Sequence, residues 1–143
     1  MATVEVRSLV KRYGDVVALD GVSLEAAAGE LVSLLGPSGC GKSTTLRCVA
    51  GFLSPDDGDI LVDGRSILPT PTNRRDFGVV FQNYALFPHM TVAENIGYGL
   101  LFRNVPRQQH QHRIERALAM VRLQGLADRM PRALSGGQQQ RVA

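Results

Sequence analysis

An α/β fold with a mixed sheet is predicted for this chain of 143 residues, and three features predict it. Two segments near the N-terminus, 3–12 and 16–27, alternate apolar and polar side chains, which is the period of strands with one covered face. The apolar run Leu31-Val-Ser-Leu-Leu35 leads at once into a glycine-rich turn and a helical pattern, as does a strand buried on both faces of a parallel sheet. Beyond residue 90 the apolar spacing changes to that of amphipathic helices.

Each element follows from local chemistry. Val4, Val6 and Leu9, then Val22 and Leu24, are the apolar positions of an antiparallel pair. Ala26–Gly29 turns the chain into the Leu31–Leu35 strand. From Lys42 to Ala50 the pattern is helical, with Leu46, Val49 and Ala50 spaced to share a face. Ser54-Pro-Asp-Asp-Gly58 is a turn cluster. Ile60–Val62 is a short strand closed by Asp63-Gly64, a hairpin signal. Phe77–Phe81 reads as a further strand, and Gln82–Met90 has no period. Thr91 with Glu94 three residues on is a capping box, opening a helix to about Leu101. Pro106 suits the first turn of the next helix, where Ile114, Ala117, Leu118 and Val121 keep one buried face. His110 and His112 on that helix read as surface residues, because a metal pair would stand one turn apart. A loop around Gly125 and Pro131 leads into Leu134-Ser-Gly-Gly-Gln138 and the start of a last helix.

Composition sets the class. An apolar fraction of 44% with 20% charged residues is that of one soluble domain. No apolar run approaches the roughly 20 residues that span a bilayer, and the N-terminal residues lack the apolar centre of a signal peptide. A cytoplasmic location is therefore expected. Cys40 and Cys48 stand in no metal-ligand spacing and read as reduced thiols. The net charge of +3 divides into −3 over residues 1–71 and +6 over 72–143. The arginines are scattered and no aromatics interleave with them, so solvated helix faces are expected and a nucleic-acid partner is not.

Two glycine-rich segments carry the chemistry. Gly36-Pro-Ser-Gly-Cys-Gly-Lys-Ser43 matches the pattern of a phosphate-binding loop, between a buried strand and a helix as that chemistry requires. The glycines allow backbone N–H groups to turn inward around a phosphate, and the helix N-terminus adds its dipole. Lys42 brings a full charge to the β- and γ-phosphates, and Ser43 offers Mg²⁺ a hard oxygen ligand. Thr44 adds a phosphate contact. In the second segment, Ser135 is a helix N-cap residue, and Gly136 and Gly137 permit close approach of backbone to an anion. An ordinary capped helix after a turn reads the same way.

Leu134-Ser-Gly-Gly-Gln138 is similar to the signature motif of ATP-binding cassette proteins. With the phosphate loop and the segment around Gln82, the chain resembles the ATP-binding subunit of an ATP-binding cassette transporter over essentially its whole length. That resemblance implies a P-loop NTPase fold of the cassette type, with a mixed sheet core, an antiparallel β subdomain and a helical subdomain. Residues 1 to about 90 would be the ATP-binding core, about 91–135 the helical subdomain, and 134–143 the signature with the start of its helix. Tyr13 stands where the family stacks an aromatic ring on adenine. Gln82 looks like the glutamine that contacts Mg²⁺ and the attacking water, so Gln82 and Lys42 are the implied catalytic residues and Ser43 and Gln82 the implied Mg²⁺ contacts. Gly36, Ser38, Gly39, Cys40, Gly41, Lys42, Ser43 and Thr44 would bind ATP. Ser135, Gly136, Gly137 and Gln138 would reach the ATP of a second subunit in a head-to-tail dimer.

The same resemblance implies partners and a location. The segment after Gln82, Asn83 to Pro88, would lie near a groove that receives the transmembrane permease subunits. Tyr84, Leu86 and Phe87 read equally as plain core residues. A solute-binding protein would act indirectly, and the subunit would sit at the cytoplasmic face of the inner membrane. Phe81–Ile96 resembles bacterial importers of polyamines, ferric iron and sugars, and Pro71-Thr-Asn-Arg-Arg75 leans toward the polyamine (spermidine/putrescine) branch. The family continues past the signature with a strand ending in the Walker B aspartate, then a glutamate that polarises water, and later a histidine. Asp56, Asp57 and Asp59 precede the signature and do not replace these. The 143 residues alone are expected not to turn over ATP at a useful rate, and to be poorly stable with an open edge beside Leu31–Leu35. Two other readings remain: a soluble cassette ATPase of DNA repair, and a non-catalytic nucleotide-binding remnant.

Overall fold

The computed structural model describes residues 2–143. It divides into two compact units, Met1–Val79 and Val80–Ala143.

Among the described residues, the first unit holds a four-stranded sheet, one α-helix and a 3-10 turn, Thr72–Arg74. Strands β1 (Val4–Tyr13), β2 (Val16–Ala26), β3 (Asp57–Val62) and β4 (Arg65–Ser66) lie in the order β2-β1-β3-β4, and each pair is antiparallel. Strict alternation would send Val6 and Leu9 to opposite faces, yet both are buried in the core with Leu19, Cys48 and Ile60. Ser8 resolves the conflict. Its φ of 47° interrupts the regular pleat, and the register slips between Val6 and Leu9, a β-bulge that returns Leu9 to the covered face. The bulge needs Gly58 opposite, where a Cβ would come within 2.5 Å of the Arg7 and Ser8 carbonyl oxygens. Asp63 and Gly64, with φ of 48° and 75°, turn β3 into β4 in the doubly left-handed conformation that suits two-residue hairpins.

Helix α1 (Lys42–Ala50) forms over the expected span, from a left-handed Gly41 to a left-handed Gly51. Its buried face differs from the expectation. Thr45, Cys48 and Ala50 are buried, Val49 packs against the core, and Leu46 is 60% exposed.

Two expected strands are corrected. Neither Leu31–Leu35 nor Phe77–Phe81 forms a strand, and Leu31 and Leu35 are each 91% exposed. An apolar run becomes a parallel strand only when neighbours accept its hydrogen bonds and cover both faces. Among the described residues no strand pairs with either run, so the sheet is antiparallel throughout.

The second unit is helical. Helix α2 (Val92–Gly97) opens with the predicted capping box of Thr91 and Glu94. It passes into a 3-10 turn over Tyr98–Phe102, so the α-helical part stops short of Leu101. The Val92 and Ala93 amides donate to the Arg129 and Ala127 carbonyls at 2.8 and 2.9 Å, which satisfies two donors that a helix start leaves free. After Pro106 a 3-10 turn, Arg107–Gln109, leads into α3 (His110–Met120). A Cβ on Gly97 would meet Ile114 Cδ1 at 2.8 Å, so glycine is what lets α2 and α3 approach. Val92, Leu118, Leu123 and Leu134 form the core, with Ile114 and Val121 against it. His112 is exposed. His110 is half-buried, with a ring nitrogen 2.9 Å from the Val105 carbonyl oxygen, so only one of the two histidines is a plain surface residue. Helix α4 (Gly136–Val142) follows Ser135.

No helix among the described residues is long and apolar enough to cross a membrane.

Candidate nucleotide-binding site

The glycine-rich loop curls around its own lysine. Lys42 Nζ donates to the carbonyl oxygens of Gly36 and Pro37, both at 2.7 Å, and stands 3.3 Å from Cys40 Sγ. Gly36, Gly39 and Gly41 take φ values of 155°, 84° and 92°, a region where side chains other than glycine are strained. At Gly41 there is also no space: a Cβ would meet Ala18 O and Leu19 Cδ2, both at 2.7 Å. That close approach seats the end of the loop against β2. The Thr45 hydroxyl donates to the Gly41 carbonyl oxygen at 3.0 Å, and this fastens the loop to α1.

The helix start is open. No side chain caps it, and the first amides of a helix have no acceptor within it. An anion is favoured at such an end by N–H groups and dipole together. The donor set fits a magnesium triphosphate. Lys42 is held by neutral carbonyls, with no carboxylate in ion-pair range among the described residues, so an incoming phosphate does not compete with an acidic side chain. The exposed Ser43 hydroxyl is a hard oxygen of the type Mg²⁺ prefers. Ser38, Gly39 and Cys40 are exposed on the same loop.

The opposite end of α1 is closed by a cap that the sequence reading missed. Arg75 Nη1 donates to the Cys48 and Val49 carbonyls at 2.8 and 2.9 Å, and Nε to the Thr70 carbonyl at 2.9 Å. The Thr72 hydroxyl donates to the Gly51 carbonyl at 2.6 Å. Burial pulls the Arg75 pKa below the ordinary arginine value. A cation at a helix C-terminus is favourable, but this one arrives from a segment distant in sequence, and no local pattern announces it.

Tyr13 ends β1, opposite Val16. It is 50% exposed, with the Lys11 ammonium 5.8 Å from its ring centroid.

The remaining expected residues lie in the second unit. Gln82 is exposed in a turn closed by the Tyr84 amide, which donates to the Phe81 carbonyl at 2.9 Å. Tyr84 and Ala85 then take left-handed φ values of 63° and 48°, rare for residues with a Cβ. Asn95, also missed from sequence, fixes the following turn. Its Oδ1 accepts from the Phe87 amide at 2.8 Å, and its Nδ2 donates to the Phe87, Met90 and Thr91 carbonyls. The Phe87 ring packs on Tyr98 at 4.4 Å between centroids.

The Ser135 hydroxyl accepts from the Gln138 amide at 3.3 Å, and Gln138 Oε1 accepts from the Ser135 amide at 2.8 Å. Ser135 and Gln138 thus shape the helix start. A Cβ on Gly136 or Gly137 would have no heavy atom within 4 Å, so packing within this chain does not require glycine at either position. No group of histidine, cysteine or acidic side chains among the described residues has the arrangement of a metal site.

Known proteins resemble the chain as a whole. A family model described as ABC transporter matches residues 19–143. The spermidine/putrescine import ATP-binding protein PotA of Nitrosomonas eutropha is 52% identical over the whole chain, covering 39% of that protein. The Fe(3+) ions import ATP-binding protein FbpC of Escherichia coli is 50% identical over 98% of the chain, covering 40% of that protein. The chain therefore spans about two fifths of the length of these curated relatives. Among solved structures, the dimeric form of a bacterial ABC transporter cassette superposes with a TM-score of 0.84 at 32% identity, over 97% of this chain and 66% of that one. A post-hydrolysis state of the same cassette, bound to ADP and Pi, gives 0.85.

Proposed function

The chain belongs to the ABC transporter family, and from that membership we propose that it binds ATP as the nucleotide-binding part of an importer's ATPase subunit. The observation that carries the proposal is the loop closed on the Lys42 ammonium at the uncapped start of α1. Lys42 exchanges the Gly36 and Pro37 carbonyls for β- and γ-phosphate oxygens. The first-turn amides of α1, with Ser38, Gly39, Cys40, Gly41 and Thr44, surround the phosphate chain. Tyr13 offers its face to adenine. Ser43 would hold Mg²⁺, which would supply charge neutralisation for phosphoryl transfer; Gln82 is proposed as a further contact on the family resemblance alone.

Ser135, Gly136, Gly137 and Gln138 act on the nucleotide of a second subunit in a head-to-tail dimer. The openness around Gly136 and Gly137 supports this reading, because glycine there serves an approach from outside the chain. The permease subunits dock near Asn83–Pro88, and the subunit works at the cytoplasmic membrane surface. A polyamine is the proposed cargo, on the relative of that specificity and on Pro71–Arg75.

The test is reconstitution of the full-length protein with its permease in vesicles. ATP-dependent uptake of labelled putrescine or spermidine, abolished by Lys42→Ala, is the expected result. Uptake of ferric iron or a sugar instead would overturn the cargo and keep the importer. Absence of ATP binding by the full-length protein would overturn the whole reading.

A further inference from the structure

We propose that Arg75 is a positioning residue for the nucleotide site, acting through helix α1 from the end opposite to the phosphate loop. The inference rests on the reading of that loop as a nucleotide site.

Helix α1 has nine residues, below the length at which a helix is stable in water on its own. Its position is therefore set by what holds it. At the N-terminal end there is no side-chain cap, which leaves the first-turn amides of α1 open to a ligand; that end is held by the seat of Gly41 against β2 and by the buried Thr45. At the C-terminal end nearly every carbonyl is engaged. The Phe52 amide donates to Arg47 O and the Gly51 amide to Cys48 O, Arg75 donates to Cys48 O and Val49 O, and Thr72 donates to Gly51 O. Arg75 lies so close that a Cβ on Gly51 would come within 2.7 Å of its Nε.

The guanidinium also donates to Thr70 O, within the segment that carries it. One planar group thus joins the helix end to the stretch Thr70–Arg75, which runs on in sequence to Gln82. A rigid helix transmits a shift or tilt at one end to the other. Because the fork geometry of arginine makes these contacts together, lysine reproduces only part of them. Loss of Arg75 frees the Val49 carbonyl, leaves Cys48 O to the Gly51 amide alone and unties the helix end from Thr70, so that α1 can slide or tilt and the loop amides move off the phosphates while their own residues stay unchanged.

The experiment uses the full-length protein, wild type, Arg75→Ala, Arg75→Lys and Thr72→Val, each studied well below its melting temperature. Equilibrium binding of MgATP is measured together with amide exchange over Lys42–Val49. The expected result is at least tenfold weaker binding and faster exchange in Arg75→Ala, with Arg75→Lys and Thr72→Val between it and the wild type. A folded Arg75→Ala that binds MgATP like the wild type overturns the proposal and leaves the nucleotide site intact. A wild type that binds no MgATP overturns both. If Arg75→Ala does not fold, Arg75→Lys and Thr72→Val decide: unchanged affinity and exchange in both overturns the proposal.

Discussion

The Lys42 ammonium donates to the carbonyl oxygen of Gly36 at 2.7 Å, six residues back along the same loop. The contact shows how a loop can keep a cation at its centre without a counter-ion. Two backbone dipoles from Gly36 and Pro37 solvate the charge, and a phosphate offers a better partner than either.

Lys42→Met should therefore leave the fold intact and weaken nucleotide binding. A charge-assisted contact of this type contributes about 1.5–3 kcal/mol, so MgATP affinity is expected to fall about 10- to 100-fold. Titration with a fluorescent ATP analogue, beside circular dichroism to verify folding, checks it. Wild-type affinity in the variant would remove Lys42 from the site.

The loop glycines should differ in a way that follows their surroundings. Gly41→Ala adds both left-handed strain and overlap with Ala18 and Leu19, and is expected to cost about 3 kcal/mol or more. At Gly39, φ is also positive but the space is open, so alanine should cost only the strain, about 1–2 kcal/mol. Denaturant unfolding of the two variants gives the comparison. Equal losses would mean that the seat of Gly41 on β2 carries no weight.

Gly137→Ala makes the opposite prediction. The position is helical and open, so alanine should stabilise α4 by up to about 1 kcal/mol. If Gly137 meets a partner's nucleotide, ATPase activity of the full-length dimer should nevertheless fall at least tenfold. Gain of stability with unchanged activity would show that no ligand approaches there.

Thr91→Ala breaks the capping box of α2 and should destabilise the protein by about 1 kcal/mol at neutral pH. The cap is also pH-dependent. Hydrogen bonds from Thr91, first from its backbone amide, hold the Glu94 carboxyl below the ordinary glutamate value of 4.5. A depressed folded-state pKa stabilises above the unfolded-state value, and that contribution is lost as pH falls through the folded-state value. The gap in melting temperature between wild type and Glu94→Gln should thus narrow as pH falls from neutrality to below 4.5. A gap that stays constant over that range would contradict the assignment.

Leu31 and Leu35 lie almost fully in solvent, and Val80 and Phe81 are exposed as well. Apolar patches of this kind drive association. The 143-residue chain expressed by itself should self-associate at micromolar concentration in sedimentation velocity, and Leu31→Lys with Leu35→Lys should raise the monomer fraction. A monodisperse monomer with a sharp thermal transition would refute this.

What was legible in the sequence depended on whether its cause was local. The span of α1, the hairpin at Asp63-Gly64 and the caps at Thr91 and Ser135 were all readable, because backbone conformation and side chain–backbone hydrogen bonds act within a few residues. The loop around Lys42 was readable for the same reason. Family resemblance added the proposed roles of Tyr13, Gln82 and Ser135–Gln138, which spacing alone does not imply.

Tertiary structure alone decided the rest. The bulge at Ser8 that turns Leu9 inward depends on Gly58 across the sheet. The face of α1 that is buried depends on what packs against it, and this is why Leu46 is exposed while Thr45 is covered. Arg75 finds its carbonyls, and Asn95 its turn, across separations that no periodic pattern encodes. Leu31–Leu35 has the composition of a strand, but a strand exists only when another segment accepts its hydrogen bonds, and pairing partners are a property of the fold rather than of the run itself.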